Sequence, residues 1–230
     1  MTSTVQGGPR VLLKNRAYAH IKQLILSGEC PPGTFLSERD LCDTLQMSKT
    51  PIRAALERLA EQDFVTIAPQ RGVIVKDFTP HEISDHYDLR IALDTFIMRE
   101  LAGRLTADQR REVEAILADQ GEIVGAERVD IEGWQQSDAQ FHLTLTRFLN
   151  NSQIEWVMAR QREKLSRVVE EIAVRDPNAP PLSNAEHTGI YEALRDGDGE
   201  LAMRRVEDHL NNGKRCLLLG ERYGSGQPRR

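Results

Sequence analysis

Apolar positions recur at helical spacing through most of the chain. Ala17, Ile21, Leu24 and Ile25 mark one face of a helix over Arg16–Leu26 that stops at Ser27-Gly28, with Pro31-Pro32-Gly33 behind it. Ser37 and Asp40 open a second helix. Ser48 is placed to cap a third, in which Pro51 is tolerated in the first turn and Ile52, Leu56 and Leu59 share a face. The pattern then changes. Phe64–Ala68 and Val73–Val75 are rich in β-branched residues and flank a Pro69-Gln70-Arg71-Gly72 turn, which predicts a short hairpin.

From Thr79 onward every signal is helical. Thr79-Pro80-His81-Glu82 combines an N-cap, a proline at the first helical position and a capping-box glutamate, and Thr106 with Gln109 and Ser183 with Glu186 repeat the box. Asp196-Gly197-Asp198 reads as a glycine stop followed at once by a new N-cap. About six helices fit before residue 220. The expected fold is therefore mainly α: an N-terminal winged helix-turn-helix with a short β-hairpin wing over residues 10–77, an all-α helical bundle over 78–220, and a flexible tail over 221–230.

Composition narrows the class. The 230 residues are 40% hydrophobic and 28% charged, as in ordinary globular chains, with a net charge of -5 and an isoelectric point near 5.7. That acidity disfavours a polyanion partner only until it is divided: residues 1–77 carry 10 basic and 8 acidic side chains, leaving the excess of acid to the remainder. The start lacks a signal-like apolar run and no stretch is long enough to span a bilayer, so a cytoplasmic protein without a membrane partner is expected. Cys30, Cys42 and Cys216 have no CxxC spacing and read as reduced thiols.

Two short helices joined by a tight turn form a helix-turn-helix, whose second member lies in the major groove of double-stranded DNA. At its start Ser48 and Thr50 offer short hydrogen bonds, Lys49 a point charge and Arg53 a bidentate donor for guanine, while Arg39 and Arg71 fall where the preceding helix and the wing tip meet the backbone. Singly, each reads as a solvated surface residue; the ordered set points to DNA. Residues 14–76 resemble the GntR family of winged helix-turn-helix transcription regulators. The resemblance rests on Leu36-Ser37-Glu38-Arg39-Asp40-Leu41, Ser48-Lys49-Thr50-Pro51-Ile52-Arg53, Ala55-Leu56, Leu59 and Arg71-Gly72. It implies DNA contact by Arg39, Ser48, Lys49, Thr50, Arg53, Arg71 and Gly72, the glycine letting the wing backbone approach the minor groove. Lys49 stands where the family usually has arginine, which trades a planar fork for a point charge.

In the second part, ionisable residues sit in apolar stripes. Asp138 and His142 share a helical face with Trp134, Phe141 and Leu145; His187 lines up with Ile190, Tyr191 and Leu194; His209 falls among Ala202, Val206 and Cys216. Asp138 and His142, four apart, are either a hydrogen-bonded pair or two ligands of one metal. With His187 and His209 they make a set suited to Zn²⁺, Ni²⁺, Fe²⁺ or Mn²⁺. Arg90, in a stripe with Ile83, Tyr87, Asp94 and Ile97, either pairs with Asp94 or meets an effector carboxylate, and Asn151 and Arg162 are further pocket candidates.

Residues 79–220 resemble the FCD effector-binding domain of the FadR subfamily, through Tyr87-x-x-Arg90, Asp138-x-x-Phe141-His142, Glu186-His187 and His209-Leu210. That resemblance implies a bundle with a central cavity, a divalent transition metal held by Asp138, His142, His187 and His209, and a small carboxylic acid completing the coordination. The expected whole is a homodimeric regulator, a repressor, that binds a palindromic operator and is switched by the acid, with residues 70–80 as the hinge. Two other readings fit parts of the pattern: a metal-dependent hydrolase with an appended DNA-binding domain, for which Glu186 is the nearest general base, and a purely architectural DNA binder, which leaves the four inward ligands unexplained.

Overall fold

The structure, a computed structural model, describes residues 9–68 and 72–224. The chain divides into two compact units, residues 1–78 and 79–230. In the first, helices α1 (Pro9–Leu26), α2 (Glu38–Leu45) and α3 (Lys49–Glu61) accompany strands β1 (Phe35–Leu36), β2 (Val65–Ala68) and β3 (Gly72–Val75). Helix α1 begins seven residues before the expected Arg16. Ala17, Ile21 and Ile25 of α1 pack with Ile52, Leu56 and Leu59 of α3 and with Val73 and Val75 of β3 in one core.

The wing is a three-stranded antiparallel sheet in the order β1-β3-β2, with Phe35 opposite Ile74 and Val65 opposite Val75. The expected two-stranded hairpin is thus extended by β1, whose two residues are too few to show a period. Gly72, with φ +93°, sits under Phe35: a Cβ there would fall 2.2 Å from the ring. The fold itself therefore calls for glycine at this place. Arg71, the expected wing-tip contact, lies outside the described residues.

The second unit holds α4 (Pro80–Leu101), α5 (Ala107–Gly125), α6 (Ile131–Phe148), α7 (Ser152–Arg175), α8 (Ala179–Asp196) and α9 (Gly199–Leu219). Thr79 with Glu82 and Thr106 with Gln109 form the expected capping boxes. Ser183 with Glu186 does not. Helix α8 starts at Ala179, with prolines in its first turn, so Ser183 is an interior, buried residue and Glu186 is free for other partners. Helix α4 packs along α9, α8 lies against both α9 and α5, and α6 lies against α5 and α7. Ile97, Phe141, Leu145, Met158, Leu165, Ile190 and Leu194 fill the middle. Residues 221–224, expected to begin a flexible tail, instead carry Tyr223 back into the bundle, where it is buried. Among the described residues no helix is long and apolar enough to cross a membrane.

Ile52, fully buried in the first unit's core, tests this packing: Ile52→Ala is expected to lower unfolding stability by about 2–5 kcal/mol, read from denaturant titration.

Candidate functional site

In the first unit, α2 is capped by Ser37, whose hydroxyl accepts from the Asp40 N–H at 3.2 Å, and ends at Gln46 in the left-handed region, so that only three residues separate α2 from α3. Ser48 holds the N-cap position of α3, yet its hydroxyl makes no capping bond. The first turn of α3 carries no acid, unlike that of α2 with Glu38 and Asp40. Its free N–H groups, the helix dipole and Lys49 thus make an anion-accepting end. Ser48, Lys49, Thr50 and Arg53 are exposed on α3 and Arg39 on α2. Arg53 Nε lies 3.3 Å from Glu38 Oε1 in a solvated ion pair, a type worth little in stability.

The second unit brings together what the apolar stripes separated. Asp138 and His142 of α6, His187 of α8 and His209 of α9 are all buried, and one ligand atom from each lies within 4.8 Å of the others. His209 Nε2 is 3.3 Å from His142 Nε2 and 3.2 Å from His187 Nε2, and His187 Nε2 is 3.5 Å from Asp138 Oδ1. The outward nitrogens each face an oxygen. His187 Nδ1 meets Gln120 Oε1 at 3.0 Å, His209 Nδ1 meets Glu186 Oε2 at 2.8 Å, and His142 Nδ1 lies 3.4 Å from Asp94 Oδ1. Gln120 presents its oxygen because its amide nitrogen donates to the Ser137 carbonyl at 2.9 Å.

These contacts assign the tautomers. With each proton on Nδ1, three Nε2 lone pairs point at one another. Moving a proton inward would relieve one repulsion but set an outer lone pair against a carboxylate or amide oxygen. A cation among the nitrogens satisfies all of them. Two ligand nitrogens about 2.0–2.1 Å from a tetrahedral cation are separated by about 3.3–3.4 Å, close to the spacings seen. The donor set therefore fits a divalent transition metal, with the outer oxygens orienting its ligands.

Electrostatics agree. Burial, together with Arg90, pushes the His142 pKa down to about 4, and burial beside His209 drives that of His187 well below its usual value, so both rings are neutral near pH 7. Burial alone would raise Asp138, but the Arg162 guanidinium paired with it outweighs this and holds the carboxyl well below its ordinary range. Asp94 is lowered in the same way, by His142 and Arg90 against its own burial.

A small cavity of about 20 Å³ adjoins the ligands, lined by Tyr87, Arg90, Asp138, Arg162, Ser183 and Tyr223 among others. Arg162 pairs with Asp138, and Arg90 lies 3.4 Å from Asp94. Even so, Arg90 Nε, Arg162 Nη1 and Ser183 Oγ are buried without a hydrogen-bond partner. Burial lowers the Arg90 pKa, and the neighbouring Arg162 charge adds to it. Tyr87 reaches in beside Gly213 of α9, where a Cβ would lie 2.9 Å from the phenol oxygen. Asn151 does not join this group: it is exposed and caps α7, accepting from the Gln153 and Ile154 N–H groups. Gln120 and Tyr223 were not among the expected site residues, Glu186 was expected only as a cap or a hydrolase's base, and Asp94 only as a partner for Arg90. Gln120 was detectable as a polar residue on the α5 face of Val113 and Ile116.

Comparison with known proteins accounts for both units. Residues 13–75 match the model of bacterial regulatory proteins of the gntR family and residues 85–212 match the FCD domain. A helix-turn-helix transcriptional regulator from the TAR-I ttuE-ttuC' intergenic region of Agrobacterium vitis is 36% identical over 131 residues, 56% of this chain and 76% of that one. The transcriptional repressor RspR of Escherichia coli K12 is 26% identical over 210 residues, 91% of each chain. Among solved structures, a GntR transcriptional regulator from Rhodococcus sp. RHA1 superposes with a TM-score of 0.75 at 24% identity, covering 91% of this chain and 99% of that one. E. coli McbR/YncC gives 0.74 at 18% identity, covering 96% and 99%. The chain therefore belongs to the GntR family of DNA-binding transcription regulators, with an FCD domain following its winged helix-turn-helix.

Proposed function

We propose that this regulator, of the FadR-like branch of the family, is a repressor that binds a palindromic operator as a homodimer and is switched by a small carboxylic acid held beside a divalent transition metal. Residues 10–77 form the DNA-binding domain, with Arg39, Ser48, Lys49, Thr50, Arg53, Arg71 and Gly72 at the duplex. Residues 78–220 hold the metal, the effector and the dimer contact, for which exposed Trp156 and Val174 of α7 offer apolar surface. The name of RspR as a repressor, and that of the gluconate operon repressor of Bacillus licheniformis, 31% identical over 144 residues, support the sign of regulation.

The observation that carries the sensing half is the convergence of three imidazole lone pairs next to buried guanidinium nitrogens that lack partners. Asp138, His142, His187 and His209 would hold the metal, and the metal would supply a Lewis-acidic position for a carboxylate oxygen. Formal charge favours an anion: Asp94 and Asp138 are balanced by Arg90 and Arg162, and a divalent cation would leave an excess of positive charge that a carboxylate reduces. Arg90 and Arg162 then gain the acceptor they lack. The effector alters DNA affinity only insofar as it binds the free and DNA-bound forms unequally.

A hydrolase would need a free base by the metal. Glu186 is saturated: Asn212 Nδ2 donates to one oxygen at 2.6 Å, and His209 and the Tyr223 hydroxyl at 2.8 Å occupy the other.

Three tests follow from this reading. Arg53→Ala is expected to weaken operator binding by about 1–3 kcal/mol while leaving unfolding stability near wild type; equal gel-shift titrations for the two proteins would defeat the DNA assignment. Titration of metal-stripped full-length protein with Zn²⁺, Ni²⁺ and Mn²⁺ is expected to show one site per chain, lost in His187→Ala and His209→Ala. Stripped protein should also lose thermal stability as pH falls from about 6.5 toward 4: the unfolded histidines take up protons in that range, whereas folded His142, with its pKa near 4, does not. A melting temperature that stays level between pH 7 and 5 would contradict this.

A further inference from the structure

Past α9 the chain turns at Gly220 and folds back onto the bundle. Arg175 Nη1 donates to the Leu217 carbonyl at 2.8 Å and Arg215 lies 3.8 Å from Glu221. Tyr223 is then held at both ends. Its N–H donates to Asp176 Oδ2 at 2.9 Å, Asp176 being the C-cap of α7 and also accepting from the Asn178 N–H at 3.1 Å. Its hydroxyl donates to Glu186 Oε2 at 2.8 Å and lies 3.1 Å from His209 Nδ1.

Tyr223 borders two spaces. On one side is the inner cavity of about 20 Å³, room for about one water. On the other is a surface groove of about 620 Å³ between α8, α9 and the C-terminal segment, lined by Glu186, Glu192, Arg205, Asp208 and Tyr223 among others. Glu186 reaches from this groove to the His209 ring.

We propose that residues 221–224 are a strap, latched by Tyr223, that closes the groove-side route to the four-ligand cluster and sets how fast a divalent cation enters and leaves. The proposal rests on the metal reading above. The groove's charge selects the cation over the acid. Glu186, Glu192 and Asp208 face a single Arg205, which is itself 3.7 Å from Glu192 and donates to the Gly189 carbonyl. Such a mouth concentrates a hydrated cation and repels a carboxylate, whereas the charges that suit the acid, Arg90 and Arg162, lie on the inner side. With the strap lifted, Glu186 keeps His209 and Asn212, so the ligand stays oriented while its path to solvent opens.

The test is chelator-driven release of Zn²⁺ from full-length protein loaded with one equivalent, followed with a chromophoric chelator. Tyr223→Phe removes the latch and keeps the ring; Tyr223→Ala removes the wall as well. Release is expected to be about tenfold faster in Tyr223→Phe and faster still in Tyr223→Ala, with one zinc per chain still bound before chelation. Tyr191→Phe, which loses a phenol hydrogen bond to Glu114 of α5 at 2.6 Å, should release at the wild-type rate and controls for a general loosening. A wild-type rate in either Tyr223 variant, or equal acceleration in Tyr191→Phe, overturns the strap. A wild-type chain that takes up no zinc overturns the metal reading and the strap with it.

Discussion

Three imidazole nitrogens gathered inside an apolar bundle, that of His209 3.2–3.3 Å from the other two, set the terms for the rest of the second unit. The arrangement requires each ring to turn its Nε2 lone pair inward and its Nδ1 proton outward, so each ring needs an acceptor behind it. Asp94 comes from α4, Gln120 from α5 and Glu186 from α8. Arg162 of α7 neutralises Asp138 of α6, and His209 comes from α9. Each of the six helices thus places a polar side chain at one point, and the apolar faces around it fix their relative register.

The same centre explains why so many charges are tolerated without water. Asp94 and Asp138 stay ionised although burial opposes it, because the His142 N–H edge and Arg90 lie against Asp94 and Arg162 lies against Asp138. The guanidinium groups in turn keep nitrogen atoms unpaired toward the cavity. Such incompletely satisfied donors are costly in a core that serves only packing; beside a candidate metal position they support the proposed anionic ligand.

Much of this was legible in the residue pattern where a single element carries the signal. The α6 stripe from Trp134 to Leu145 showed Asp138 and His142 facing inward, and the α3 face of Ile52, Leu56 and Leu59 separated the core from the exposed Arg53. Contacts made by the fold alone were not legible. Gln120 and His187 are 67 positions apart, and Tyr223 and Glu186 are 37 apart, so no local period links them. Ser183-x-x-Glu186 has the form of a capping box, but the two prolines after Ala179 start the helix earlier, and the same residues serve the interior instead. The two residues of β1 acquire strand geometry from the partner strand β3 rather than from their own composition. Asn151 was a pocket candidate, yet the start of α7 uses its side chain as a cap.

The ion pair between Arg53 and Glu38 has a consequence for how the protein responds to ionic strength. A lysine or arginine that leaves solvent for a phosphate displaces condensed cations from the duplex, and that release makes affinity fall as salt rises. Arg53 arrives with a carboxylate already beside it, tethered on α2 at 3.3 Å. That carboxylate acts as a built-in competitor for the guanidinium. Added salt weakens the internal pair as well as the attraction to DNA, so the two effects partly offset each other at this residue. Lys49, with no carboxylate partner among the described residues, would in the proposed contact carry the steeper part of the salt response. With Arg53 at the duplex as proposed, discrimination between sequences would rest on whether a base edge binds its fork more strongly than Glu38 does.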